Sequence, residues 1–90
     1  MLIARNYVIA GRVQGVGFRY FVEGAAAREG VHGWVRNLPD GRVEAHIEGD
    51  ADAVERVEAA LRRGPSSSRV EDVVVDEQRP TGRPTGFTIR

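Results

Sequence analysis

The sequence predicts an α+β sandwich, an antiparallel sheet with two helices on one face. Three observations lead there. Two segments carry apolar residues at helical spacing, Phe18-Val22-Ala25-Ala26 and Val54-Val57-Leu61. Between them, residues 42–48 alternate strictly, with Val43, Ala45 and Ile47 on one side and Arg42, Glu44, His46 and Glu48 on the other. Finally, the chain has 90 residues, of which 41% are hydrophobic. A chain of that size buries roughly 60–65% of its extended surface, enough for one two-layer core, so residues 1–90 are read as a single domain.

Leu2 to Ala10 reads as the first strand. Tyr7 and Ile9 face one side, Val8 and Ala10 the other, as in a central strand buried on both faces. The first helix runs from Arg19 to Glu29. Gly24 within it costs about 1 kcal/mol relative to alanine, so periodicity rather than propensity carries the assignment. Gly30 ends it in the C′ position. Val31 to Leu38 is a second strand, and Pro39-Asp40-Gly41 turns the chain back into the third, Arg42 to Glu48. Asp50 or Asp52 caps a second helix reaching Arg63, where Arg62 and Arg63 suit the negative end of the dipole and Gly64-Pro65 stops it. After a loop over Ser66 to Arg69, Val70 to Asp76 forms a fourth strand. A linker with two prolines, Arg79 to Thr85, leads to a short extra strand at an edge, Gly86 to Arg90.

The order is βαββαβ, the split βαβ of ferredoxin-like folds. A helical crossover joins strands one and two, so they run parallel and end at the same edge of the sheet. The N-terminus of the first helix lies at that edge too. Arg36 and Asn37, which close strand two, are therefore brought toward the segment that precedes the helix. Ligands gather where strand ends meet helix starts.

Composition narrows the chemistry. Thirteen basic residues, all arginine, balance thirteen acidic ones, so no broad positive field attracts nucleic acid or acidic lipid. Cysteine is absent, which excludes disulfides, thiolate metal sites and cysteine nucleophiles. No signal-peptide core or membrane-length apolar run is present, and the expectation is a soluble cytoplasmic protein. Nothing calls for a cofactor.

The segment Gly11 to Arg19, G-R-V-Q-G-V-G-F-R, joins the first strand to the first helix. Three glycines in such a place expose consecutive backbone N–H groups able to wrap an anion, and the helix start adds its own. Arg19 supplies a planar fork of donors for two phosphate oxygens. Without lysine this is no Walker loop, and the third glycine of a dinucleotide fingerprint is replaced by Tyr20. The loop contains no serine, threonine, aspartate or histidine, and no carboxylate cluster suggests a metal. Water is then the nucleophile. Asn37 can hold it through its amide but cannot deprotonate it near neutral pH. A site without a strong acid suits a good leaving group such as the carboxylate of an acyl phosphate, not the alcohol of a phosphate monoester.

Followed by G-W-V-R-N at 33–37, the glycine segment resembles the two signature segments of the acylphosphatases. The likeness continues through D-G-R-V-E at 40–44, Gly49, Gly64-Pro65 and F-T-I at 87–89. The resemblance implies a ferredoxin-like sandwich that hydrolyses acyl phosphates to a carboxylate and inorganic phosphate, without metal or cofactor. It assigns phosphate binding to Gln14, Gly15, Val16, Gly17, Phe18 and Arg19. Arg19 would grip the phosphoryl oxygens, Asn37 would orient the water, and a phosphate oxygen would take its proton. A monomer is expected.

Plainer readings stand beside these. Arg19 could pair with Glu23 one turn on, and Asn37 could serve only the hairpin turn. Arg12 reads as a surface ion-pairing residue rather than an anion ligand. Trp34 reads as a packed or half-exposed strand aromatic, and His32 and His46 as surface residues. Ser66-Ser67-Ser68 is read as a solvated loop, and Glu55, Arg56, Glu58, Arg62 and Arg63 as an exposed helix face. Two other functions compete. One is a module that captures a phosphorylated metabolite or carbamoyl phosphate within a larger assembly. Because the chain ends close to the fold at both termini, the free-standing enzyme is expected instead. The other is an RNA binder, which would need paired strand aromatics and a basic face.

Overall fold

In the computed structural model, which describes residues 1–90, the chain forms β1 (Leu2–Arg12), α1 (Phe18–Glu29), β2 (His32–Asn37), β3 (Val43–Asp50), α2 (Ala51–Arg63), β4 (Arg69–Gln78) and β5 (Phe87–Ile89). The sheet order is β4-β1-β3-β2-β5. β1 pairs antiparallel with β3 and β4, and β2 antiparallel with β3. β5 adds to the far edge parallel to β2, because the linker from β4 carries the chain across the whole sheet before it pairs. β1 and β2 run parallel on either side of β3, as the crossover requires.

Both helices pack on one face, around seventeen buried residues. Tyr7, Ile9, Val35, Val43, Ala45 and Ile47 rise from the sheet to meet Phe18 and Val22 of α1 and Val54, Val57 and Leu61 of α2. Full burial of an aliphatic side chain of this size contributes about 1.5–3 kcal/mol before entropy is counted. Asp50 caps α2: its carboxylate accepts from the Asp52 N–H at 3.3 Å.

The opposite face is not covered by helices. Val8 and Ala10 are half-buried there and Val74 is 48% exposed, so β1 is not the two-sided core strand that its apolar run suggests. β1 also runs past its expected end. At Ala10/Gly11 the register against β4 shifts, and pairing resumes through Gly11↔Val70 and Arg12↔Arg69. Gly11 reads in the sequence as the start of a loop, yet it sits in a bulge where a side chain would strike the Arg69 carbonyl.

Glu58 departs from the exposed helix face expected of it. It turns toward the sheet, accepts from the Tyr7 hydroxyl at 2.8 Å and pairs with Arg5 at 3.1 Å. Burial pushes the Glu58 carboxyl up, but the bonds from Tyr7 and Arg62 outweigh it and hold the group below its ordinary range.

Candidate active site

Residues 13–17, between β1 and α1, leave regular structure. Gly15 and Gly17 take φ values of 73° and 76°, a left-handed conformation that costs other residues roughly 1–2 kcal/mol. Gly17 is the N-cap of α1 and has no side chain to cap it, and the first turn contains no acidic residue. The first closing bond runs from the Phe21 N–H to the Gly17 carbonyl at 3.0 Å. The backbone N–H groups of residues 15–20 thus have no acceptor within the protein, and the positive end of the α1 dipole lies beside them.

A cavity of about 110 Å³ opens at this loop. Val13, Gly15, Gly17, Phe18, Arg19 and Tyr20 line it from the β1–α1 side, and Asn37 closes it from the end of β2. No carboxylate lines it. The Phe18 side chain is buried in the core, so what Phe18 can offer an anion is its N–H. Arg19 makes no ion pair with Glu23 or any other side-chain carboxylate. Its Nη1 donates instead to the main-chain oxygen of Arg90, the last residue, at 3.0 Å, just beyond β5, which steadies the guanidinium from the far side of β2. Asn37 lies on the same side of the sheet as buried Val35, opposite Val43 in register, and its side-chain amide bonds to nothing in the protein.

Two polar side chains fix this geometry. Gln14 does not line the cavity. Its Nε2 donates to the carbonyls of Leu38 and Arg42 at 2.8 and 2.9 Å, tying the glycine loop to the hairpin that carries Asn37. The hairpin is braced from within by Asp40, which accepts from the backbone N–H and the guanidinium of Arg42. Those bonds hold the Asp40 carboxyl below its usual range. Ser67, in the loop after α2, donates from Oγ to the Val16 carbonyl at 3.1 Å. That occupies one loop carbonyl from outside the cavity, whose lining includes neither Ser67 nor Val16.

The cavity therefore unites Arg19, Asn37, Gly15, Gly17 and Phe18, while Gln14 and Val16 support it from outside. Arg36 is not there. One residue before Asn37, it alternates to the open sheet face, where it pairs with Glu44 at 2.7 Å and lies 5.4 Å from the centre of the Trp34 ring. Arg12 is exposed at the end of β1 without an ion-pair partner. Val13 and Tyr20 line the cavity without a sequence signal beyond their adjacency to the glycines. Ser67 carries no signal at all, since only the folded chain brings it to Val16.

A ferredoxin-like sandwich with a donor-lined, carboxylate-free cavity between a glycine loop and a strand-end asparagine is the class of domain that fold and site define. Comparison with known proteins narrows it. The family model described as acylphosphatase matches residues 5–89. An acylphosphatase of Roseiflexus sp. (strain RS-1) is 51% identical over 90 residues, covering 99% of this chain and 97% of the relative. The crystal structure of acylphosphatase from Bacillus subtilis superposes with a TM-score of 0.93 at 41% identity, over 100% of this chain and 99% of that one. A full-length HypF, in its phosphate- and nucleotide-bound form, matches with a TM-score of 0.87 at 28% identity; this chain covers 12% of it. The chain belongs to the acylphosphatase family, and it is a hydrolase that acts on acyl phosphates.

Proposed function

We propose that the reaction is a direct, in-line attack of water on phosphorus, with the phosphoryl group held by the loop from Gln14 to Arg19. The backbone N–H groups of residues 15–20 and the Arg19 guanidinium surround the phosphoryl oxygens and balance the charge that spreads over them in the transition state. Asn37 orients the water through its amide. As the new P–O bond forms, the bond to the acyl oxygen breaks and the carboxylate leaves with its electron pair. The water's proton passes to a phosphoryl oxygen. No side-chain base is then needed, which agrees with a cavity lined by neither histidine nor carboxylate.

The observation that carries this reading is the convergence of Arg19 and Asn37 on one small cavity with the unpartnered loop N–H groups. The enzyme would work as a single cytoplasmic domain, as a monomer and without metal. The deciding experiment measures benzoyl phosphate hydrolysis in EDTA beside p-nitrophenyl phosphate, for the parent and Arg19→Ala, with sedimentation to establish the mass in solution. Fast, chelator-resistant, Arg19-dependent loss of the acyl phosphate and much slower ester cleavage are expected. Folded protein that binds inorganic phosphate without turning over the acyl phosphate would favour a phosphate- or carbamoyl-phosphate-binding module, the reading that the partial match to HypF also admits.

A further inference from the structure

The open face of the sheet has a second cavity, of about 320 Å³, which shares no lining residue with the cavity at the glycine loop. Its floor is β-sheet: His32 and Trp34 from β2, His46 and Glu48 from β3, and Thr88 from β5. Its roof is the strap between β4 and β5, contributing Thr81, Arg83 and Thr85. The strap is pinned at both ends. At one, the Glu48 carboxylate, 4% exposed, accepts from the N–H groups of Thr81 and Gly82 at 2.8 and 2.7 Å and from the Thr81 hydroxyl at 3.2 Å. At the other, the Gly86 N–H donates to His32 Nδ1 at 2.9 Å, and the Gly33 N–H donates to the Gly86 carbonyl. Arg83 and Thr85 lie between the two pins. The cavity is thus bounded by anchored backbone and not by a drifting loop.

Its lining has a definite chemistry. Trp34 and His46 stack with their ring centres 6.0 Å apart and their planes 18° from parallel, and the Arg90 guanidinium lies 4.5 Å from the Trp34 centre. Neither Arg83 nor Arg90 pairs with a carboxylate. The one acidic side chain in the lining, Glu48, is already committed to the strap. With its Nδ1 accepting, His32 keeps Nε2 as a donor. Aromatic faces beside donor-rich, unpaired guanidiniums suit a planar ring that carries an anionic group.

We infer that the cavity between the 79–86 strap and the open sheet face is a binding site for a ring-bearing organic anion, gripped by Arg83 and Arg90 with its ring against Trp34 and His46. Such chemistry is common to aromatic carboxylates and nucleoside monophosphates. It does not rest on the mechanism proposed for the glycine loop, although the Arg90 main chain touches Arg19 there.

Trp34 is the only tryptophan, so its emission reports on the cavity directly. Benzoate and adenosine 5′-monophosphate are titrated separately, by fluorescence and by calorimetry, with and without saturating inorganic phosphate. At least one should bind saturably and change Trp34 emission, with phosphate failing to displace it; which one binds distinguishes the two sources. Arg83→Ala, a change at an exposed strap position, should weaken that binding about tenfold or more while benzoyl phosphate hydrolysis stays at the parental rate. No binding of either probe by either method, displacement by phosphate, or equal binding by Arg83→Ala would each overturn the assignment.

Discussion

Replacing Asn37 with alanine removes an amide that has no partner in the protein, so the variant should fold as the parent does and bind inorganic phosphate as well. Its turnover of benzoyl phosphate should fall about 100-fold, the scale of losing the orientation of one reactant. Arg19→Ala should instead weaken phosphate binding by roughly ten- to a hundredfold, since it removes a charged donor from the anion itself. Gln14→Ala separates a third role. It cuts the tie from the loop to the Leu38 and Arg42 carbonyls, so steady-state kinetics should show kcat falling while phosphate affinity holds nearly constant. That Arg19 and Asn37 meet at one cavity was legible in the sequence, because the element order brings the end of β2 and the start of α1 to the same edge of the sheet. Gln14 was legible only as part of the loop. Its side chain could equally face an anion or a carbonyl, and only the hairpin's position decides. Arg36 misled because nearness to Asn37 along the chain is not nearness to the cavity when alternate residues face opposite sides of a sheet.

The loop-to-helix junction shows what an element contributes. Gly15 and Gly17 both require positive φ with no atoms nearby to clash, so alanine at either meets a backbone penalty and no packing one. Each should destabilise the fold by about 1–2 kcal/mol in urea titration, and the double variant should lose phosphate binding as the loop N–H groups turn away. Ser67→Ala removes the bond that the loop after α2 makes to the Val16 carbonyl, and phosphate affinity should drop severalfold at unchanged global stability. Helices and strands were legible from periodicity, and the Gly30 and Asp50 caps from residue type. The extension of β1 through Gly11 was not, because a glycine after an apolar run reads the same whether it opens a loop or sits in a bulge. Glu58 was missed for a related reason. Its place on the helix says only which direction it faces, and it is Arg5 and Tyr7 beneath α2 that make a half-buried acid favourable there.

At the scale of the molecule, acid should act through the strap. The N–H groups of Thr81 and Gly82 hold the Glu48 carboxyl below its ordinary value, against the opposing pull of burial. A depressed carboxyl contributes stability fully above the ordinary carboxylate value of about 4.3 and loses it as pH falls through the lower folded one. Denaturant midpoints should therefore decline on acidification below about pH 4. Glu48→Gln should begin lower at neutral pH and decline less steeply. A pH dependence as steep as the parent's would remove Glu48 from the account. The sandwich itself was legible from element order and length. That β5 joins parallel to β2 was not, because nothing in a proline-containing linker says which edge of the sheet it reaches. The helix-free face was legible as well, but the burial of β1 was misread, since an apolar strand reads the same whether helices cover both of its faces or only one.

The sheet order places the strand nearest the beginning of the chain between two that come much later, with Ala4 opposite both Glu48 and Gln78. During synthesis, then, the glycine loop and α1 leave the ribosome long before β4 exists to pair with β1, and until that happens β1 presents a bare hydrogen-bonding edge. Contacts of such long sequence separation make closure of the sheet, not formation of the helices, the slow event, and place folding nearer the slow end of the range for domains this small. For that interval the young chain is at greatest risk of pairing with another copy of itself.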